Sequence, residues 1–147
     1  LASKGLALQI DVVACPTVES DHAKVRQVLY NFLANAIKYA PESGTLHLQA
    51  HLVDSNSVEI SVIDHGPGVP EDLRQVIFEK FRQGDSGLAR GHGGTGLGLA
   101  IARQFSEILR GSVRCDATPG GGATFVLRLP LVWPRESGRP LLPDADN

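Results

Sequence analysis

This sequence predicts an α+β two-layer sandwich, with one five-stranded sheet and three helices on one of its faces. Three observations lead there. Five short stretches alternate apolar and polar residues at the strand period, and three others carry apolar residues or start signals at the helical period. Their order is strand, helix, hairpin, helix, loop, helix, hairpin. Such an order leaves one sheet with a single face to be covered by helices.

The elements follow in turn. Leu6, Leu8, Ile10 and Val12 alternate with Ala7, Gln9 and Asp11, which marks a first strand. Asp21 is placed to cap a helix of about four or five turns. Within that helix Val25, Val28, Leu29, Phe32, Leu33, Ala36 and Ile37 form a core-facing stripe. It must stop near Ala40, because Pro41 disfavours helical geometry in the residue before it. Leu46, Leu48, Ala50 and Leu52 make a second strand, and Val58, Ile60 and Val62 a third. The turn Asp54-Ser55-Asn56-Ser57 joins them as a hairpin. A short helix is expected from Glu71 to Phe78, after Pro70. Residues Arg82 to Gly94 hold five glycines and no apolar rhythm, so a mobile loop is expected. A third helix is expected from Thr95 to Leu109, with Gly111 as its C-cap glycine. Val113, Cys115 and Ala117 suggest a fourth strand, and Phe125, Leu127, Leu129 and Leu131 a fifth. The stretch from Trp133 to Asn147 holds three prolines and mixed charges. The expected division is therefore a domain over residues 1–131 and a Pro-rich tail or linker, expected to be disordered, over 132–147.

Composition narrows the function. A chain of 147 residues, 42% hydrophobic and 20% charged, is one ordinary globular domain. A net charge of −2 argues against a nucleic-acid partner. No apolar run approaches the roughly 18 residues of a membrane span. Cys15 and Cys115 show no metal-ligand pairing and are expected to stay reduced, which suits a cytoplasmic setting. The chain opens on Leu1 and has no methionine, so a piece of a longer protein is expected.

Three clusters carry chemistry. At about 100° per residue, Asn31, Asn35 and Lys38 fall within roughly 60° of one another at the edge of the apolar stripe. Asn is a poor helix former, so two in register in mid-helix ask for a reason. Amide oxygens suit Mg²⁺, and an ammonium neutralises phosphate. Asp64 is in phase with Val58, Ile60 and Val62 and therefore points to the buried face at the end of its strand. A carboxylate there needs a hydrogen-bond donor, and the exocyclic amine of adenine would supply one. Gly66 and Gly68 let a flat ligand approach the backbone. Gly94, Gly96 and Gly98 open the third helix, where free N–H groups favour an anion. Together these describe a nucleoside-triphosphate site.

Competing motifs fail on context. Gly91, Gly93 and Gly96 fit G-x-G-x-x-G, but Gln83 to Arg90 is no buried strand, and Asp116 shares its strand face with Arg114. No Walker-type loop exists. His47 and His51 read as solvated positions on a polar strand face, whereas His65 and His92 stand in the glycine loops. Arg82, beside Phe81, is the arginine best placed to reach phosphates.

Taken in this order, the motifs resemble the ATP-binding catalytic domain of bacterial sensor histidine kinases, within the group that includes DNA gyrase B, Hsp90 and MutL. Asn31 to Pro41 is similar to its asparagine box, and Asp64-x-Gly66-x-Gly68 to its first glycine box. Phe78-Glu79-Lys80-Phe81 is similar to its phenylalanine box, and Gly94-Thr95-Gly96-Leu97-Gly98-Leu99 to its second glycine box. Gly120 to Phe125, including Thr124, matches its closing glycine-rich segment. The resemblance spans about Leu6 to Pro130. It implies a mixed, mostly antiparallel sheet of the Bergerat type, a lid between the phenylalanine and second glycine boxes, and ATP with Mg²⁺ as cofactors. It implies Asp64 on the adenine amine, Asn35 and Asn31 near the metal, and Lys38 and Tyr39 on phosphate and on ribose or base edge. The backbone from Gly94 to Leu99 would close over the phosphates. Many relatives carry an aromatic and then Arg after the phenylalanine box, where this chain reads Phe81-Arg82-Gln83, which leaves the source of the lid's cation open.

Hydrolysing members of the group carry Glu where this chain has Asn31. Asn cannot take a proton from water, so the γ-phosphoryl should remain available to an imidazole nucleophile. No histidine stands in the His-Glu-x-x-x-Pro context of the family's phospho-accepting helix. The resemblance thus implies a phosphoacceptor histidine domain on the same or a paired chain and a response-regulator receiver downstream. It also implies a monomeric fragment of a homodimeric parent, compatible with an anchor of that parent in the bacterial inner membrane, and little net turnover by the fragment alone. The alternative is a protein-binding serine kinase of the anti-sigma type, which shares the fold.

Overall fold

The computed structural model describes residues 5–12, 17–79 and 97–132. Its five strands are β1 (Ala7–Val12), β2 (Thr45–Leu52), β3 (Ser57–Ile63), β4 (Ser112–Ala117) and β5 (Ala123–Pro130). They lie side by side in the order β1-β2-β3-β5-β4. β1 runs parallel to β2 and every other neighbouring pair is antiparallel. Helices α1 (His22–Tyr39) and α2 (Gly98–Ile108) pack on each other, and both lie over the sheet. The result is the expected two-layer α+β sandwich with a mixed, mostly antiparallel sheet.

Local chemistry explains most boundaries. Asp21 caps α1 by accepting a hydrogen bond from the Lys24 backbone N–H at 3.2 Å and pairs with the Lys24 ammonium at 3.0 Å. At the other end Ala40 turns to extended backbone before Pro41. The β2–β3 hairpin turns where Asp54 accepts from the Asn56 N–H at 2.7 Å, an Asx turn. Phe32 from α1 and Phe78 both meet the ring of Phe125, at centroid distances of 5.5 and 6.5 Å. Around this trio Val28, Leu46, Val58, Val62, Leu109, Leu127 and Leu129 are sealed from solvent.

Three details depart from the sequence expectation. Glu71 to Phe78 forms two single 3-10 turns, Glu71–Leu73 and Val76–Phe78, in place of one helix. Gly111 is not the left-handed residue that ends α2. That residue is Arg110, at φ 63°, while the Gly111 N–H bonds back to Ser106 O at 2.8 Å. This is a Schellman ending with a non-glycine at its left-handed position. Gly111 is needed for another reason, since a Cβ there would lie 2.0 Å from Arg128 O. The apolar phase of β1 is as expected, but its outer half is uncovered: Leu6 is buried and Ile10 is 60% exposed. β1 is an edge strand, and the helices lie over the centre of the sheet.

The opposite face of the sheet is polar. Arg114 on β4 grips the Glu59 carboxylate of β3 with two nitrogens and bonds Asp116 at 2.9 Å. The Arg114 hydrogen bonds hold Glu59 below the ordinary carboxylate value, as the Lys24 pairing does for Asp21. Such groups take up protons less readily folded than unfolded, so their stabilisation is complete above the ordinary value and drains away as pH falls through the lowered one. Asp21→Ala is therefore expected to cost about 1 kcal/mol at neutral pH. That deficit should shrink once the pH drops below 3.8, the ordinary value for this carboxyl. Urea unfolding of both forms at neutral and acid pH measures it.

Candidate functional site

The chemistry-bearing residues lie along α1, whose last turn meets the backbone after β3 and whose middle meets the first turn of α2. Asp64 follows β3 directly and is 2% exposed. Its Oδ1 accepts two backbone hydrogen bonds, from Gly66 N at 2.9 Å and from Ala123 N at 3.1 Å. Its own N–H donates to Ala123 O at 2.9 Å, so the carboxylate is fixed from both sides. Among the described residues Oδ2 accepts nothing. Every fully sealed side-chain polar atom among those residues has a partner, so Oδ2 retains an opening to solvent. A carboxylate held in this way offers one directed acceptor to a donor entering from outside.

Glycines make the approach possible. A Cβ on Gly66 would lie 2.4 Å from Tyr39 O, so the last turn of α1 sits directly on the backbone after Asp64. Gly122, at φ +114°, would bring a Cβ within 2.1 Å of Asp64 O. Gly122 O in turn lies 3.0 Å from where a Gly68 Cβ would be. The first glycine box and the Gly120–Gly122 run are thus two faces of one contact, which neither shows alone.

On α1 the expected row is present. Asn31, Asn35, Lys38 and Tyr39 are all half-buried. Asn31 Nδ2 donates to Gly98 O at 2.8 Å, which ties α1 to the first turn of α2. Among the described residues no hydrogen bond engages the Asn35 carboxamide, an arrangement that suits a ligand to a hard cation. The Lys38 ammonium lies 5.5 Å from the centre of the Tyr39 ring. Burial raises the Tyr39 phenol above its ordinary value, so it stays a neutral hydroxyl. Gly98 and Leu99 open α2, and Leu97 before them has no side chain that can cap it. The first N–H groups of a helix lack an intrahelical acceptor, and such groups suit an anion.

Thr124 is set apart. Strand alternation sends it to the face opposite Phe125, and its Oγ1 lies 3.0 Å from Thr118 Oγ1. Phe125 faces the helices, so the Thr124 side chain turns away from the cleft. Phe81, Arg82, Gly94, Thr95 and Gly96 lie outside the described residues, as does the expected loop that contains His92. Ala123 and Gly122, not singled out as site residues in the sequence, prove to hold Asp64. The glycine run was the only signal for them.

Residues 20–132 match the family described as histidine kinase-, DNA gyrase B-, and HSP90-like ATPase, and the chain belongs to that family. Its relatives are sensor histidine kinases. It is 36% identical over 131 residues to sensor histidine kinase TmoS of Ectopseudomonas mendocina, covering 89% of this chain and 14% of TmoS. It is 40% identical over 134 residues to adaptive-response sensory kinase SasA of Crocosphaera subtropica, covering 89% of this chain and 34% of SasA. Among solved structures, the mycobacterial sensor histidine kinase MprB superposes with a TM-score of 0.72 at 28% identity, over 86% of this chain and 82% of that one. Full-length ShkA, crystallised with AMPPNP, gives 0.75 at 38% identity, over 87% of this chain and 26% of ShkA. The chain thus spans 14% of one of these curated relatives and 34% of the other. It is a histidine-kinase-type ATPase domain, and the relatives favour that reading over the anti-sigma alternative.

Proposed function

We propose that the cleft binds ATP with Mg²⁺ and that the domain passes the γ-phosphoryl to a histidine on a separate phosphoacceptor domain, for onward transfer to a receiver. The observation that carries this is the Asp64 carboxylate, sealed and doubly bonded through Oδ1 but open at Oδ2. A single amine donor, such as the exocyclic group of adenine, matches that acceptor. AMPPNP in the ShkA crystal supports a nucleotide for this cleft too.

In this reading Gly66 and Gly68 admit the base, and Tyr39 borders it with a neutral hydroxyl. The N–H groups at the start of α2, with Lys38, meet the phosphates, joined by Arg82 and the Gly94–Gly96 backbone. Asn35 and Asn31 offer amide oxygens to the cation. Bound magnesium would neutralise charge on the phosphate oxygens. The imidazole nitrogen of the acceptor forms the new N–P bond as the bond to the β-phosphate oxygen breaks, and the ring proton passes to solvent. Asn31 takes no proton, so water beside the γ-phosphoryl is not activated and hydrolysis does not compete.

The full-length protein, given labelled ATP, tests this. The expected product is an acid-labile, alkali-stable phosphohistidine on a residue outside this chain. Acid-stable phosphoserine would restore the anti-sigma reading, and label on one of this chain's own histidines would contradict the transfer.

A further inference from the structure

Gln27 lies one turn before Asn31 on α1, on the same helix face and exposed to solvent. Its Nε2 donates to Asn31 Oδ1 at 3.0 Å, while Asn31 Nδ2 donates to Gly98 O at 2.8 Å. The Asn31 carboxamide is thus gripped at both ends, nitrogen on α2 and oxygen on Gln27. Gly98 sits close against it, since a Cβ there would lie 3.9 Å from Asn31 Cγ.

From this geometry we infer that Gln27 is a positioning residue, which fixes the Asn31 amide so that its oxygen presents one remaining lone pair to the cation–phosphate group. The inference rests on the nucleotide reading above. A carbonyl oxygen has two acceptor sites, and Gln27 uses one. Without Gln27 the amide is held, among the described residues, only through Gly98 O. Its oxygen is then free to swing away from the direction in which a cation must find it. An exposed pair four residues apart adds only a few tenths of a kcal/mol to a helix, so a purely structural role would leave ligand binding untouched.

The test is a double-mutant cycle with Gln27→Met and Asn31→Ala, read by titrating the whole chain with a nonhydrolysable ATP analogue, with Mg²⁺ and with a chelator. Met keeps the length and helix preference of Gln but has no N–H. With Mg²⁺, Gln27→Met should weaken binding about two- to tenfold, the worth of one neutral hydrogen bond. The effect should be smaller in chelator and absent when Asn31 is already Ala, because Gln27 acts through Asn31. The unfolding temperature should not change. Binding equal to the parent's, or an equal loss in both backgrounds, overturns the role of Gln27 and leaves the nucleotide reading standing. Failure of the unsubstituted chain to bind the analogue overturns both.

Discussion

Asp64→Asn is expected to weaken nucleotide binding by about 1.5–3 kcal/mol, the worth of a hydrogen bond to a charged group. That corresponds to roughly ten- to 150-fold in Kd. The substitution is isosteric. Asn keeps an oxygen for Gly66 N and Ala123 N, so the two bonds that fasten the carboxylate survive. What changes is the atom at the Oδ2 position, which turns from acceptor to donor and meets the adenine amine N–H to N–H. Calorimetric titration with an ATP analogue measures the loss, and circular dichroism checks that the fold is intact. Unchanged affinity in a folded variant would remove Asp64 from the adenine contact.

Gly122→Ala should be the most damaging single-methyl change. The added Cβ would sit 2.1 Å from Asp64 O and 2.8 Å from His65 Cα, against backbone that cannot swing aside. The φ of +114° is also one that alanine rarely adopts. Together these predict a loss of about 2–4 kcal/mol, or roughly 10 °C in Tm. Asp64 should shift with the strand end, so the folded fraction should bind nucleotide poorly. Gly120→Ala is the natural comparison. Its φ is +88°, but nothing lies within 4 Å of its Cβ. It should cost only the backbone strain, about 1 kcal/mol. Equal effects at the two positions, measured by thermal unfolding, would show that contact with Asp64 is not what demands glycine at 122.

What the sequence made legible was local. The α1 cap at Asp21, the stop before Pro41 and the turn at Asp54 are each written in a few adjacent residues. The burial of Asp64 followed from its phase with Val58, Ile60 and Val62, and the asparagine row followed from helical spacing. Other features are products of distant contacts. Gln27, Asn31 and Gly98 meet across 67 residues of chain, and nothing in the spacing of α1 points to α2. Gly122 matters because Asp64 lies against it, and a run of three glycines cannot say which of them is pressed. Gly111 looked like a C-cap, but the neighbour that excludes a side chain there comes from β5. Thr124 is different, since its face could have been read. Phe125 is in phase with the core, so the residue before it had to look the other way, yet the motif drew it into the site. β1 has the right alternation for a buried strand, and only its place at the sheet edge leaves Ile10 and Val12 exposed.

A crystal structure of this chain with Mg²⁺ and a nonhydrolysable ATP analogue tests the central claim most directly. The account predicts the adenine amine within about 3 Å of Asp64 Oδ2, the base lying along Gly66 and Gly68, and the cation beside Asn35. Adenine bound elsewhere, or Oδ2 satisfied by one of the protein's own side chains while the nucleotide is present at saturation, would contradict it.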